Sequence, residues 1–131
     1  MLILVMCSKT RAPEELWKIA ELMRNDNNMK ECIINLEAII KNHSEHALAA
    51  KAQYQIAEIY LNDIKDFDIA IEEYTMVIDY FPNHDVSKNS LFMIAYIYNN
   101  YLSAYTDAIK HYNLFIEKYP DDELIPSVKY E

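Results

Sequence analysis

The stretch YQIAEIYLNDIKDFDIAIEEYTMVIDYFP, residues 54–82, decides the fold, because the chain repeats it. Shifted by 38 positions it lies without a gap over FMIAYIYNNYLSAYTDAIKHYNLFIEKYP, residues 92–120. Tyr54 falls on Phe92, Ile56 on Ile94, Ala57 on Ala95, Ile59 on Ile97 and Tyr60 on Tyr98. Further on, Phe67 meets Tyr105, Ala70 and Ile71 meet Ala108 and Ile109, and Tyr74 meets Tyr112. Ile78, Phe81 and Pro82 then meet Ile116, Tyr119 and Pro120. A self-similar period in the range of about 20–50 residues is the mark of stacked repeats. Within each copy the apolar residues follow the i, i+3, i+4, i+7 spacing of a helical stripe, twice over, so each copy is a pair of amphipathic helices, A and B.

Working outward, a weaker copy precedes these two. Trp17, Ile19, Ala20, Glu21 and Leu22 lie 37 residues before Tyr54, Ile56, Ala57, Glu58 and Ile59. Cys32, Ile33, Leu36 and Ile40 lie 38 before Ala70, Ile71, Tyr74 and Ile78, so one residue is gained in the turn between the helices. Residues 121–131 read as the start of a fourth copy, with Tyr130 in register with Phe92. The spacing predicts helices near 14–24, 29–42, 46–61, 67–81, 86–99, 105–118 and, frayed, 124–131. Asparagines at 25, 27, 28, 62, 99 and 100 stand where left-handed helix ends are wanted. Asp66 can cap a helix start, Pro13 stands near the first one, and Pro82 and Pro120 stop the B helices. The expected fold class is all-α, an α-α superhelix of about three helix-turn-helix repeats (14–45, 46–83, 84–121) plus a partial C-terminal helix (122–131). Residues 1–13 stand apart as an apolar segment and tether.

Composition agrees. None of the 131 residues is glycine, where average usage predicts about nine. Phosphate-cradling loops, dinucleotide fingerprints and nucleophile elbows all require it. Tight primed hairpins do too, so sandwiches and barrels are disfavoured. With 52% apolar and 12% aromatic residues the chain is not a disordered tail. The net charge of −9 argues against nucleic acid, which needs clustered Lys and Arg. Between positions 58 and 85 stand Glu58, Asp63, Asp66, Asp68, Glu72, Glu73, Asp79 and Asp85, against Lys65 alone. They read as a solvated face with helix-initiating acids, or as a docking surface for a basic partner. Cys7 and Cys32 make no disulfide framework, and Cys32 reads as a small buried residue.

The pattern resembles the tetratricopeptide repeat. That family places a small residue mid-way along helix A, an aromatic three positions on, a small residue early in helix B, an aromatic four later and a closing proline. Here these are Ala57, Tyr60, Ala70, Tyr74 and Pro82, then Ala95, Tyr98, Ala108, Tyr112 and Pro120. The first copy departs, with Ala20, Met23, Cys32, Leu36 and Ser44. The period of 38 is longer than the family's 34 and looks like the subgroup found in bacterial outer-membrane assembly lipoproteins and periplasmic cell-division coordinators. The physics is consistent: no single pair can bury its stripe, but stacked pairs bury a continuous core. Ala57 and Ala70 let the helices cross closely. Tyr60 and Tyr74 fill the gaps, with hydroxyls expected to reach the surface.

The resemblance implies a curved array with helix A lining a concave groove. Its ligand-facing positions map to Trp17, Glu21 and Arg24 in the first copy. In the second they are Lys51, Tyr54, Glu58 and Asn62, and in the third Asn89, Phe92, Tyr96, Asn99 and Asn100. Trp17, Tyr54 and Phe92 then form either an aromatic ladder or inter-repeat core. Asparagine amides suit a peptide main chain. The expected partner is a protein or peptide, not nucleic acid or a small-molecule substrate.

Catalytic chemistry is not indicated. His43 and His46 have a helical ligand spacing but no third partner, and read as an exposed loop rather than a metal site. The turn 63–68 lacks the alternating ligands, glycine and terminal glutamate of a calcium loop. No nucleophile–base arrangement stands out, so neither an enzyme nor a cofactor is expected.

Residues 1–7 resemble the end of a lipoprotein signal, in which Leu4, Val5 and Met6 precede a Cys7 that is acylated. A basic leader would then lie upstream and further repeats downstream. On that reading the chain is an envelope, periplasm-facing lipoprotein, tied to the membrane only through Cys7, and serves envelope assembly or cell division. The alternative is a cytoplasmic adaptor or co-chaperone-like module with no anchor.

Overall fold

The computed structural model describes residues 10–125, so Cys7 and Tyr130 lie outside the described part. Six α-helices follow in order: α1 (Pro13–Asn25), α2 (Met29–Asn42), α3 (Ala47–Ile59), α4 (Phe67–Tyr80), α5 (Asp85–Asn100) and α6 (Tyr105–Lys118). No strand interrupts them among the described residues. Each helix packs on its neighbour in the chain, and α1 also touches α3, and α3 touches α5. This is an α-α superhelical repeat, three A–B pairs deep.

The small residues sit where the pattern required. Ala20, Ala57 and Ala95 of the A helices are fully buried, as are Cys32 and Ala70, and Ala108 almost so. Burial pushes the Cys32 thiol above its ordinary value. The core runs in three clusters along the chain. Leu16, Leu36, Ile39 and Ile56 join α1, α2 and α3; Ala57, Tyr74, Ile94 and Ile97 join α3, α4 and α5; Leu91, Tyr112, Phe115 and Ile125 form the third, toward the end of the described residues. Tyr74 does not reach the surface as expected. It is 0% exposed and its hydroxyl has no hydrogen-bond partner, because its ring fills the junction of three helices.

The helix starts and stops are where most expectations needed correction. α3 does not run evenly to 61: it passes into a π-helical turn, Tyr60–Ile64. The left-handed residues are Asn27, Lys65 and Ser103. Of the asparagines expected at left-handed helix ends, only Asn27 takes that conformation; Asn25 remains in α1, Asn28 instead caps the start of α2 by accepting from the Glu31 amide at 3.2 Å, Asn62 lies in the π turn, and Asn99 and Asn100 remain in α5. The reason is loop size. After α1 the amides of Asn27 and Asn28 return to the carbonyls of Arg24 and Met23, which is a Schellman closure. After α3 the Asp66 amide reaches six residues back to Tyr60, and after α5 the Ala104 amide reaches six back to Tyr98. The residue gained between the first and second copies is this wider turn.

At the helix starts, Asp66 accepts from the Ile69 amide at 3.1 Å, as expected. His46 and His84 cap α3 and α5, each Nδ1 accepting an amide two residues on, at 3.1 and 3.2 Å. One period later Asp122 accepts from the Leu124 amide at 2.9 Å. His43 and His46 are therefore not a plain exposed loop. His43 Nε2 meets the Arg11 carbonyl at 2.8 Å, and His46 Nε2 meets Glu14 at 3.0 Å. Phe81 and Tyr119 end the B helices, one residue before each proline, since a residue preceding proline avoids the helical region.

Candidate partner-binding surface

The A helices stand side by side, α1 against α3 against α5, while successive B helices touch more sparsely. The row therefore curves with the A helices inside. Along this inner face the first two repeats are joined by charge. Arg24 of α1 reaches Asp63 of the π turn at 2.8 Å, with both side chains about 29% and 28% exposed. The π turn makes this reach: it carries the chain on from α3 before the left-handed Lys65 turns it into α4.

Beside that pair is a cavity of ≈ 530 Å³ lined by Glu21, Arg24, Asn25 and Gln55. Glu21 is exposed and accepts from the Trp17 indole N–H at 3.1 Å. Gln55 is half-buried, and its Oε1 is sealed from solvent with no hydrogen-bond partner. One turn on, Glu58 is half-buried. Burial holds its carboxyl above the usual carboxylate range, with Arg24 offsetting and Asp63 adding to the shift.

The expected aromatic ladder divides into three. Trp17 packs on the first core cluster, Tyr54 on the second and Phe92 on the C-terminal one. Tyr54 and Phe92 make ring contacts with the B helices. Tyr54 meets Tyr74 edge-on at 5.4 Å, and Phe92 meets Tyr112 and Phe115 at 5.9 Å each. Burial pushes the Tyr54 phenol up to about 12. Tyr96 lies between Phe92 and Tyr101, which in turn stacks on Phe67 at 4.6 Å. Lys51 and Asn62 are exposed, and Asn89 and Asn99 half-buried. Asn100 turns its amide N–H onto the Tyr96 carbonyl at 3.0 Å.

Arg24 and Glu58 are among the positions expected to face a partner, Asp63 is expected only as a member of the acidic run, and Gln55 is not among the expected positions. Asp63 pairs across 39 residues, and no local pattern signals that. The histidine caps had a signal, the 38-residue spacing of His46 and His84, that went unread. Among the described residues no three His, Cys, Asp or Glu side chains gather to hold a metal ion, and no helix is long and apolar enough to cross a membrane.

Comparison with curated proteins finds no match. The family model of SNAP, soluble NSF attachment protein, matches residues 6–129. That is a family of TPR-like superhelical helix repeats, the architecture described above, and the match covers nearly the whole chain. The chain belongs to the soluble NSF attachment protein family.

Proposed function

We propose that this protein is a non-catalytic scaffold that docks a protein or peptide partner on the face formed by α1, α3 and α5. The observation that carries the reading is the row itself. α3 touches both α1 and α5, and Glu21, Arg24, Glu58, Asn89, Tyr96 and Asn99 lie on these three A helices. A face already ordered by packing loses little conformational freedom when it binds. The family's description names attachment to NSF, which favours an adaptor here too. Replacing Tyr96 and Asn99 together by alanine is expected to weaken partner capture while leaving helicity by circular dichroism unchanged. Capture at full strength would exclude this face.

The place of work divides into two readings. Leu4, Val5 and Met6 before Cys7 favour a lipid-anchored scaffold in a bacterial envelope. The family match starts at residue 6 and takes in Cys7, which favours an unanchored, cytoplasmic adaptor in which Cys7 is ordinary domain sequence. Intact mass spectrometry separates them: lipid on Cys7 supports the first, and an unmodified chain retaining residues 1–6 supports the second.

A further inference from the structure

We propose that the groove between α4 and α6, on the B-helix side of the array, takes a large aliphatic side chain from a basic amphipathic helix of a partner. This goes beyond the inner-face reading and uses none of its residues. A groove lies at each junction of successive B helices, floored by the A helix between them. The first, ≈ 260 Å³, lies between α2 and α4 and has Ile40, Gln53 and Met76 among its walls. The second, ≈ 500 Å³, lies between α4 and α6 and has Ile78, Leu91 and Leu114 at the same three register positions.

The two grooves differ at the floor. In the first, Gln53 is 5% exposed and donates to the Glu73 carboxylate, which ties α3 to α4. The corresponding pair in the second is Leu91 and His111, which cannot make that bond. His111 instead meets the Asp107 carbonyl of its own helix at 2.7 Å and lies 5.1 Å from the Tyr98 ring. Leu91 is thus an apolar floor, and Leu114 a wall left 43% exposed. A site lined by three aliphatic side chains gains most by removing another aliphatic group from water.

Charge selects what flanks that group. Glu117 lines the groove, and Asp79 is exposed beside Ile78. The cation there, Lys118, has its ammonium over the Tyr119 ring, 5.8 Å from the centroid. α4 itself carries Asp68, Glu72, Glu73 and Asp79 and neither lysine nor arginine. With a net charge of −9 behind it, this surface repels acidic segments and steers basic ones. A helix with an apolar stripe and lysines beside it meets both demands.

The probe is a labelled amphipathic leucine–lysine peptide, read by fluorescence anisotropy against the full chain. Its counterparts are a leucine–glutamate and an alanine–lysine peptide of equal length. The leucine–lysine peptide is expected to bind saturably, the leucine–glutamate peptide not at all, and the alanine–lysine peptide at least about tenfold more weakly. Leu114→Ser should weaken binding about fivefold or more. Ile34→Ser, at a similarly exposed position on α2 outside both grooves, should stay within about twofold. Circular dichroism checks that both variants keep their helices. Binding of all three peptides alike, no saturable binding, or equal weakening by Leu114→Ser and Ile34→Ser would each overturn the proposal. Self-association of the chain that Leu114→Ser abolishes would give the groove to a second copy and overturn it as well. The inner-face reading is judged separately: Tyr96→Ala with Asn99→Ala should leave the peptide affinity within about twofold while weakening partner capture. If that pair instead weakens the peptide as much as Leu114→Ser does, the groove is not the site.

Discussion

At the scale of single residues, the inner face carries a carboxylate that folding disfavours. Glu58 is half-buried, and burial outweighs the opposing influence of Arg24, so its folded pKa lies above that of an unfolded glutamate. The sign follows by linkage. Over the window between the ordinary and the raised value the folded state binds more protons than the unfolded one. The stabilising contribution is complete below the ordinary value and is lost as pH rises through the raised one. Glu58→Gln removes that slope. Urea unfolding of both proteins from about pH 4 to pH 7 should show the variant gaining on the parent as pH rises. Parallel curves would mean that Arg24 compensates the buried charge. Glu73 is also raised, mainly by burial, despite the hydrogen bond it accepts from Gln53, and its own slope persists in both proteins. Proximity of this kind was not legible in the sequence. Glu58 could be placed on the inner side of helix A, but its depth depends on how α1 lies against α3.

At the scale of elements, a sequence without glycine has to end its helices by other means. It does so with Asn27 after α1 and with wide turns around Lys65 and Ser103, while side-chain caps placed one period apart open the following segments. Histidine is an unusual choice at such a cap, and it serves only while Nδ1 is unprotonated. Asp122 fills the same repeat position with a carboxylate, so the position asks for an acceptor rather than for an imidazole. His84→Ala should then cost about 1 kcal/mol of stability, the usual value of a helix N-cap, while His84→Asp should retain or exceed the parent. Chemical denaturation at neutral pH measures both. Equal losses in the two variants would show that the imidazole ring acts through packing and not through Nδ1. Helix extent was readable here. The residues 29–42 and 105–118 expected from apolar spacing are those of α2 and α6, because a helical stripe is a local property. The π turn was not readable, since the amides of Lys65 and Asp66 both return to the Tyr60 carbonyl across residues with no distinctive composition.

At the scale of the whole molecule, the repeat register sorts equivalent residues by what covers them. Ile33, Ile71 and Ile109 occupy one position in successive B helices. Ile33 is 9% exposed, whereas Ile109 is 59% exposed. Side-chain chemistry is constant across the three, so the difference is positional: α2 has the next repeat, α3 and α4, after it, whereas among the described residues α6 is followed only by 119–125. In a stack where each unit contacts its neighbours, stability sums over units and interfaces. The same substitution should therefore have unequal effects along the register. Ile33→Lys forces a charge into the first core cluster and is expected to cost about 3 kcal/mol or more. Ile109→Lys changes an exposed side chain and should stay within about 0.5 kcal/mol. Urea midpoints of the two variants, with circular dichroism confirming helix content, make the comparison. Equal losses would mean that Ile109 is covered in solution, by a second copy or by another part of the protein, and sedimentation at several concentrations would tell those two apart.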